Sequence, residues 1–206
     1  SADHGKTWKR GFRFTPEENF GCPAFLNCGQ DYSLARDEYV YIYSQDGPSA
    51  YRSYDRVALA RVHSDSIARR EAYRFFRRQG PDGGPAWTRE IRERAGVLEY
   101  PGRCRRLDVV YDPGIGRYLM ALAFNDQGGW GIFDAPQPWG PWTTAFYTDN
   151  WGLGQTHGYR IPAAWIAADG KSFHLVFSGR TYNDVVYDAF CVRAARIETV
   201  DSPAVE

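Results

Sequence analysis

The feature that most constrains this chain is a run of four short strand patterns between Cys104 and Tyr147. The segments 107–111, 118–124, 130–133 and 143–147 are apolar, β-branched or aromatic, and Gly- and Pro-rich turns separate them. Four antiparallel strands within about 45 residues match the size of one β-propeller blade.

The same pattern recurs on both sides of this segment. The second strands align as YVYIYS at 39–44, YLMALAF at 118–124 and FHLVFS at 173–178. Upstream strands are predicted at 23–27 and 56–62, and downstream strands at 160–167 and 187–196. Residues 66–79 are expected to form a short helix or an outer strand.

The chain is therefore predicted to be an all-β, single-domain β-propeller of four-stranded antiparallel blades, with a β-sandwich as the alternative. About three full blades and part of another are expected, with bounds near 1–19, 20–100, 101–155 and 156–200.

The composition agrees with a globular domain and excludes some functions. The 206 residues are 16% aromatic, and the formal net charge is +0, so bulk charge favours neither nucleic acid nor an acidic membrane. No apolar run approaches the roughly 18 residues that span a bilayer. His and Cys residues lack zinc-ligand spacing, so neither a metal nor another cofactor is expected.

The four cysteines give two alternatives for the redox environment. Cys22 and Cys28 are close enough in sequence to bridge, which would indicate an oxidising compartment. They can equally be two buried thiols.

The N-terminal octapeptide SADHGKTW resembles the Asp-box, Ser-x-Asp-x-Gly-x-Thr-Trp, of sialidases and related propellers. Asp3 can bond backbone N–H groups of the turn, and Gly5 permits a positive φ. The resemblance implies that Trp8 packs between sheets and that the motif joins the third and fourth strands of a blade. Earlier strands would then precede Ser1, as in the C-terminal part of a five-bladed propeller. The rival is a compact four-bladed ring.

Candidate functional residues fall where the first strands of blades begin. These strands line a propeller's channel, so its mouth should collect Arg105 or Arg106, Asp108, His157, Tyr159 and Arg160. Asp108 stands in an otherwise apolar strand, where a carboxylate is either paired with an arginine or used in chemistry.

A second candidate region is the polar loop from Ser44 to Arg56, which follows the second strand and contains Asp46 and Asp55. Long loops with Asp, Tyr and Arg often carry binding residues, although a solvated loop is equally expected. The run from Arg92 to Arg94 is predicted to be a solvated surface.

The pieces YVYIYSQDG, RLDVVYDPGIGRYLMAL and GWGIFDAPQPWGPWTTAF together resemble bacterial carbohydrate-active propellers of the five-bladed glycoside-hydrolase kind. Residues 20–200 look most like a family of secreted propeller domains that includes endo-acting D-arabinan hydrolases. The resemblance implies a polysaccharide or oligosaccharide partner and a secreted or periplasmic location. Self-association could complete an open ring.

Three functional hypotheses follow. A glycoside hydrolase needs two carboxylates, for which Asp108 and Asp46 are the candidates. Arg105, Arg160 and Asp55 would hold the substrate, and Trp130, Trp139 and Trp151 would stack on sugar rings. A polysaccharide lyase would instead use His157 and Tyr159 for proton transfer and an arginine to neutralise a uronate. The third hypothesis is a non-catalytic binding propeller.

Overall fold

The computed structural model describes residues 3, 5–125, 127–181 and 189–199. Within these ranges the chain forms strands and short 3-10 turns, and no α-helix. The strands are β1 Ala24–Asn27, β2 Tyr39–Gln45, β3 Tyr54–His63, β4 Arg74–Gln79, β5 Pro85–Thr88, β6 Gly96–Cys104, β7 Leu107–Asp112, β8 Arg117–Ala123, β9 Trp130–Ala135, β10 Thr143–Thr148, β11 Leu153–Arg160, β12 Ser172–Thr181 and β13 Phe190–Arg196. The 3-10 turns are Pro16–Glu18, Gln30–Tyr32, Ser64–Ser66, Arg70–Ala72, Ile91–Glu93 and Ala163–Trp165.

The strands form antiparallel sheets in which spatial order follows chain order. The first sheet runs β1-β2-β3-β4-β5, with β6 also paired to β3, and the second runs β7-β8-β9-β10. Their first strands lie side by side and parallel, with Leu26 opposite Val109. The third sheet runs β11-β12-β13. Sheets that meander outward from parallel first strands are the blades of a propeller, so the predicted all-β propeller fold is confirmed.

The inner strands β7, β8 and β9 of the second sheet are largely buried on both faces. Successive residues of β8 alternate, with Leu119 packing against the third sheet and Met120 against the first. Val109 and Val110 of β7 divide in the same way. Burial on two sides explains why these strands are continuous apolar runs rather than alternating ones.

The outer face of the first sheet is covered by the chain that precedes it. Val40, Ala60 and Phe75 form a core there, and Phe12 and Phe14 pack against it. The strands β2 and β3 are thereby largely buried on both faces.

The strand predictions are mostly confirmed, with two corrections. The segment 160–167 is not a strand, because β11 ends at Arg160 and Pro162, which has no N–H to donate, leads into the turn Ala163–Trp165. In the segment 66–79, β4 begins only at Arg74.

The N-terminal motif forms its local turn but not its predicted packing. Asp3 accepts hydrogen bonds from the Thr7 N–H at 3.0 Å and the Thr7 hydroxyl at 2.7 Å, and Gly5 has φ of 82°. The Trp8 indole N–H folds back onto the Gly5 carbonyl at 2.9 Å. Trp8 is 78% exposed, however, so the expectation that it packs between sheets was wrong. Ser1, Ala2 and His4 lie outside the described residues.

All four cysteines are free thiols, which agrees with the thiol alternative for Cys22 and Cys28. Burial raises the pKa of Cys28 to about 11 and that of Cys104 to about 12, so neither is a reactive thiolate at neutral pH. Across the part of the chain that the structure describes, no helix has the length and apolarity to cross a membrane.

Candidate functional site

Asp46 lies directly after β2, at the end of the first sheet. Its N–H donates to the Arg56 carbonyl at 3.0 Å, and its two carboxylate oxygens contact the guanidinium groups of Arg56 and Arg94. The side chains of Asp46 and Arg94 are only 7% and 5% exposed. A buried carboxylate is thus compensated by two cations rather than left unpaired.

The role of Arg94 corrects a prediction. The run Arg92–Arg94 was expected to be a solvated surface, but the 3-10 turn Ile91–Glu93 directs Arg94 inward. Its guanidinium also donates to the Ile91 carbonyl and, at 3.4 Å, to the Asn19 carbonyl. Arg94 therefore ties three separate segments of the first sheet together.

A cleft of about 550 Å³ opens beside this triad. Its wall is almost entirely charged or polar, and consists of Glu17, Asn19, Asp46, Tyr54, Asp55, Arg56, Arg92, Arg94 and Glu99. Asp55 is exposed there and accepts a hydrogen bond from the Gly102 N–H at 2.9 Å. Such a wall suits a ligand with many hydroxyl groups better than an apolar one.

The loop between Asp46 and Asp55 leads from this cleft to Arg106. Arg106, just before β7, donates from Nε to the Ala50 carbonyl at 3.1 Å and lies 5.0 Å from the Tyr51 ring centroid. The loop is tightly folded, because a Cβ on Gly47 would lie 2.1 Å from Cζ of Tyr54. The loop therefore combines a buried start at Gly47 with exposed residues at Tyr51 and Arg52.

A second cluster consists of Arg106, Asp108, His157 and Arg160. Asp108 lies in it at the junction of the second and third sheets. One carboxylate oxygen accepts the Ile161 N–H at 3.0 Å, and the other lies 3.8 Å from Arg160 Nε. The side chain is 17% exposed. Burial raises the pKa of Asp108, and the Arg160 charge and the Ile161 N–H offset part of that rise.

His157 is held in place by Arg106. The Arg106 Nη1 atom lies 2.9 Å from His157 Nδ1 and 3.0 Å from the His157 carbonyl oxygen. Because arginine can only donate, Nδ1 is the acceptor in this contact. The structure brings Asp108 next to Arg160, and Arg106 joins His157 to the loop at Ala50.

Other predicted site residues lie in the interior instead. Tyr159 is fully buried and stacks on Trp130 with ring centroids 4.4 Å apart, and burial raises the pKa of its hydroxyl. Trp151 packs on the same pair and under Arg193. These rings fill the core between the second and third sheets, so placing Tyr159 at a channel mouth was wrong.

Arg105 is likewise buried, at 9% exposure, and its N–H pairs with the Ala123 carbonyl. Trp139 bonds the Gly83 carbonyl at 3.2 Å, far along the first sheet from Asp46. Tyr159 lies in β11, where a one-residue step moves a side chain from an outer surface into a core, whereas Arg105 and Trp139 lie between strands.

Asp46 and Asp108 take part in separate ion pairs, with Asp55 near the first and His157 near the second. The sequence analysis missed the contributions of Arg56 and Arg94. A carboxylate that follows a buried strand predicts some cationic partner, but Arg94 is 48 positions away in the chain. No group of three His, Cys, Asp or Glu side chains that could hold a metal ion occurs within the described ranges.

The fold and these clusters define an all-β propeller domain whose paired carboxylates and arginines gather around one loop. The chain belongs to the family described as a domain of unknown function, DUF4185, whose model matches residues 1–193. A comparison with curated proteins finds no match.

One solved structure shows a similar fold, and two others match with TM-scores below 0.5. A protein from Bacteroides ovatus ATCC 8483, described as a "putative hydrolase", matches with a TM-score of 0.53 and 17% identity over 83% of this chain and 43% of its own. A "putative exo-beta-1,3-galactanase" from Bifidobacterium bifidum s17 matches with a TM-score of 0.44 and 16% identity. The match covers 85% of this chain and 51% of the galactanase chain. A GH43 beta 1,3 galactosidase matches with a TM-score of 0.40 and 10% identity. The match covers 78% of this chain and 33% of the galactosidase chain. The chain thus spans about half or less of the length of these proteins.

Proposed function

We propose that this chain is a carbohydrate-active hydrolase domain that cleaves glycosidic bonds of a polysaccharide. The observation that carries the proposal is Asp108, a largely buried carboxyl group that lies beside Arg160 and whose pKa is raised by burial. A glycosidase needs a carboxylic acid that keeps its proton toward neutral pH in order to protonate the leaving oxygen. Asp108 is the proposed general acid.

Asp46 is the proposed second carboxylate, acting as base or nucleophile. Both of its oxygens contact arginines, so substrate binding has to loosen at least one of these contacts before the carboxylate can act. Asp55, exposed in the same cleft, is proposed to bind substrate hydroxyls, together with Arg160. The D-arabinan hydrolases that the sequence resembles make D-arabinan the first substrate to test, and secretion or a periplasmic location accords with it.

A second candidate function is a non-catalytic carbohydrate-binding propeller. The pairing of Asp46 with two arginines favours it, because a carboxylate saturated by guanidinium groups has little freedom to attack a sugar or activate water. The lyase hypothesis gains no support from the geometry, because the Tyr159 side chain is enclosed by Trp130 and Trp151.

The experiment is an oligosaccharide-release assay on a D-arabinan, a β-1,3-galactan and a uronate-containing polysaccharide. Reducing ends and the ultraviolet absorbance of unsaturated uronates are measured together. We expect new reducing ends without that absorbance, and loss of release in Asp108→Asn. Absorbance that rises with the reducing ends would instead indicate a lyase. Binding of a polysaccharide without any release would select the binding propeller.

A further inference from the structure

A second cavity lies at the opposite end of the first sheet from Asp46. Near Asp46, Ala24 of β1 pairs with Tyr43 of β2, whereas this cavity begins beyond the other ends of the same strands, at Cys28 and Tyr39. Its volume is about 250 Å³. That is below the roughly 300–1,000 Å³ of pockets for drug-sized ligands, so it fits a smaller molecule.

Five of the twelve residues that line it are aromatic. Tyr41 and Tyr118 are 3% exposed, and Tyr32 and Trp139 are half-buried at the opening. The Tyr32 hydroxyl accepts the Tyr41 N–H at 3.3 Å, and the Trp139 indole donates to the Gly83 carbonyl. Both rings are therefore held in fixed positions, and a ligand would meet preformed apolar faces with hydroxyl groups between them.

The backbone beside the cavity adopts an uncommon conformation. Asp31 and Tyr32 are consecutive non-glycine residues with positive φ, at 53° and 61°. Such conformations cost free energy and persist where the surrounding structure fixes them, often at ligand clamps. Here they hold the Tyr32 ring against the cavity.

The charges at the cavity are balanced. Arg36 and Asp37 are adjacent and exposed at its rim, where the Asp37 carboxylate accepts the Tyr39 N–H at 3.0 Å and the Tyr41 hydroxyl at 2.6 Å. The remaining lone pairs of Asp37 and the Arg36 donors can serve adjacent hydroxyl groups of one ligand. Arg36 would repel a cation and Asp37 would repel an anion, so a neutral ligand fits best.

We propose that this tyrosine pocket, lined by Cys28, Tyr32, Tyr41, Tyr118 and Trp139 and rimmed by Arg36, Asp37 and Gln137, binds one neutral sugar ring. A sugar combines apolar C–H faces, which stack on aromatic rings, with hydroxyl groups that need donors and acceptors at their edges. The site is separate from Asp108 and Asp46 and would anchor a carbohydrate chain without cleaving it.

The test uses Asp108→Asn protein, in which hydrolysis is disabled and the tyrosine pocket is unchanged. The probes are the methyl glycosides of arabinose, galactose and glucose, followed by NMR titration of the backbone amides. We expect millimolar binding by at least one glycoside, with shifts concentrated at residues 28–41 and 137–139. Arg36→Ala and Gln137→Ala, both at exposed positions, should each weaken it about 2- to 12-fold, the equivalent of one lost hydrogen bond.

Arg13→Ala is the matched control, because Arg13 is exposed on the other side of the first sheet. Equal affinities in Arg36→Ala, Gln137→Ala and Arg13→Ala would overturn the proposal, as would shifts confined to residues 46–56 and 106–108, or no binding of any glycoside. The result does not depend on catalysis, so failure of the hydrolase assay leaves it standing.

Discussion

The carboxylates of Asp46 and Asp108 are both largely buried, yet their surroundings differ. Asp46 contacts two guanidinium groups, and one of these, from Arg94, is itself buried. Asp108 has one backbone N–H and a half-exposed arginine whose Nε lies 3.8 Å away. The first arrangement compensates charge almost completely, whereas the second leaves desolvation dominant and raises the pKa of Asp108.

This difference separates a carboxylate that also stabilises the fold from one whose presence needs a chemical reason. Removing one member of a fully compensated buried triad leaves an isolated charge, so the fold should suffer. Removing a carboxyl group that desolvation already disfavours should cost the fold little, so its presence needs a functional reason. The predictions below test that distinction.

The largest expected effect is on catalysis by Asp108→Asn. Hydrolysis should fall by about 10²- to 10⁴-fold, the usual contribution of a general acid. The free energy of unfolding should change by less than about 1 kcal/mol, because Asn can still accept the Ile161 N–H and the half-exposed ion pair contributes little. Both quantities are measured on the same preparation, by reducing-end release and urea denaturation. Retained activity would remove Asp108 from the mechanism.

Asp46→Asn should lower stability as well as hydrolysis, in contrast to Asp108→Asn. The free energy of unfolding should fall by about 3 kcal/mol, because the Arg94 charge stays buried without its carboxylate. Asp55→Asn, at an exposed position in the same cleft, is the control and should change stability by less than about 0.5 kcal/mol. Equal stabilities of the two variants in urea would show that the triad is not a stabilising element.

The sheets were more predictable than the site, for a physical reason. The strands around 107–111, 118–124 and 143–147 carry local signals, namely apolar runs bounded by turn residues, and the structure places β7, β8 and β10 there. The grouping of Asp108 with Arg160 followed from aligning first strands. Local patterns were therefore enough to locate strands and one junction.

What could not be predicted depends on contacts between distant positions. The pairing of Asp46 with Arg94 closes a gap of 48 residues, and no local pattern marks it. Tyr159 shares a sequence neighbourhood with His157 and Arg160 but packs on Trp130, because its side chain faces the core between sheets. The direction in which a strand side chain points is set by how the strands pair, and residue types alone do not determine that pairing.

The pH dependence of stability is a smaller effect that isolates Asp108. Its pKa in the folded chain lies above the ordinary value of 3.8, so the fold binds this proton more tightly than the unfolded chain does. Stability from this group is fully present below the ordinary pKa and falls as pH rises through the window up to the folded pKa. Asp108→Asn should lack this decline, measured by urea denaturation at several pH values. Burial also raises the pKa of Asp112. Asp112 is present in both proteins, so its contribution cancels in the difference between their stabilities.

Arg160→Gln should give the smallest effect and the sharpest comparison of the two clusters. The Arg160 charge lowers the pKa of Asp108, so its removal should raise that pKa further. If Asp108 is the general acid, the alkaline limb of the activity profile then moves to higher pH, because the acid keeps its proton longer. Arg13→Gln, at an exposed position away from both clusters, should leave the profile unchanged. An alkaline limb that stays in place in Arg160→Gln would mean that the limb reports another group, and Asp108 would lose its assignment as the acid.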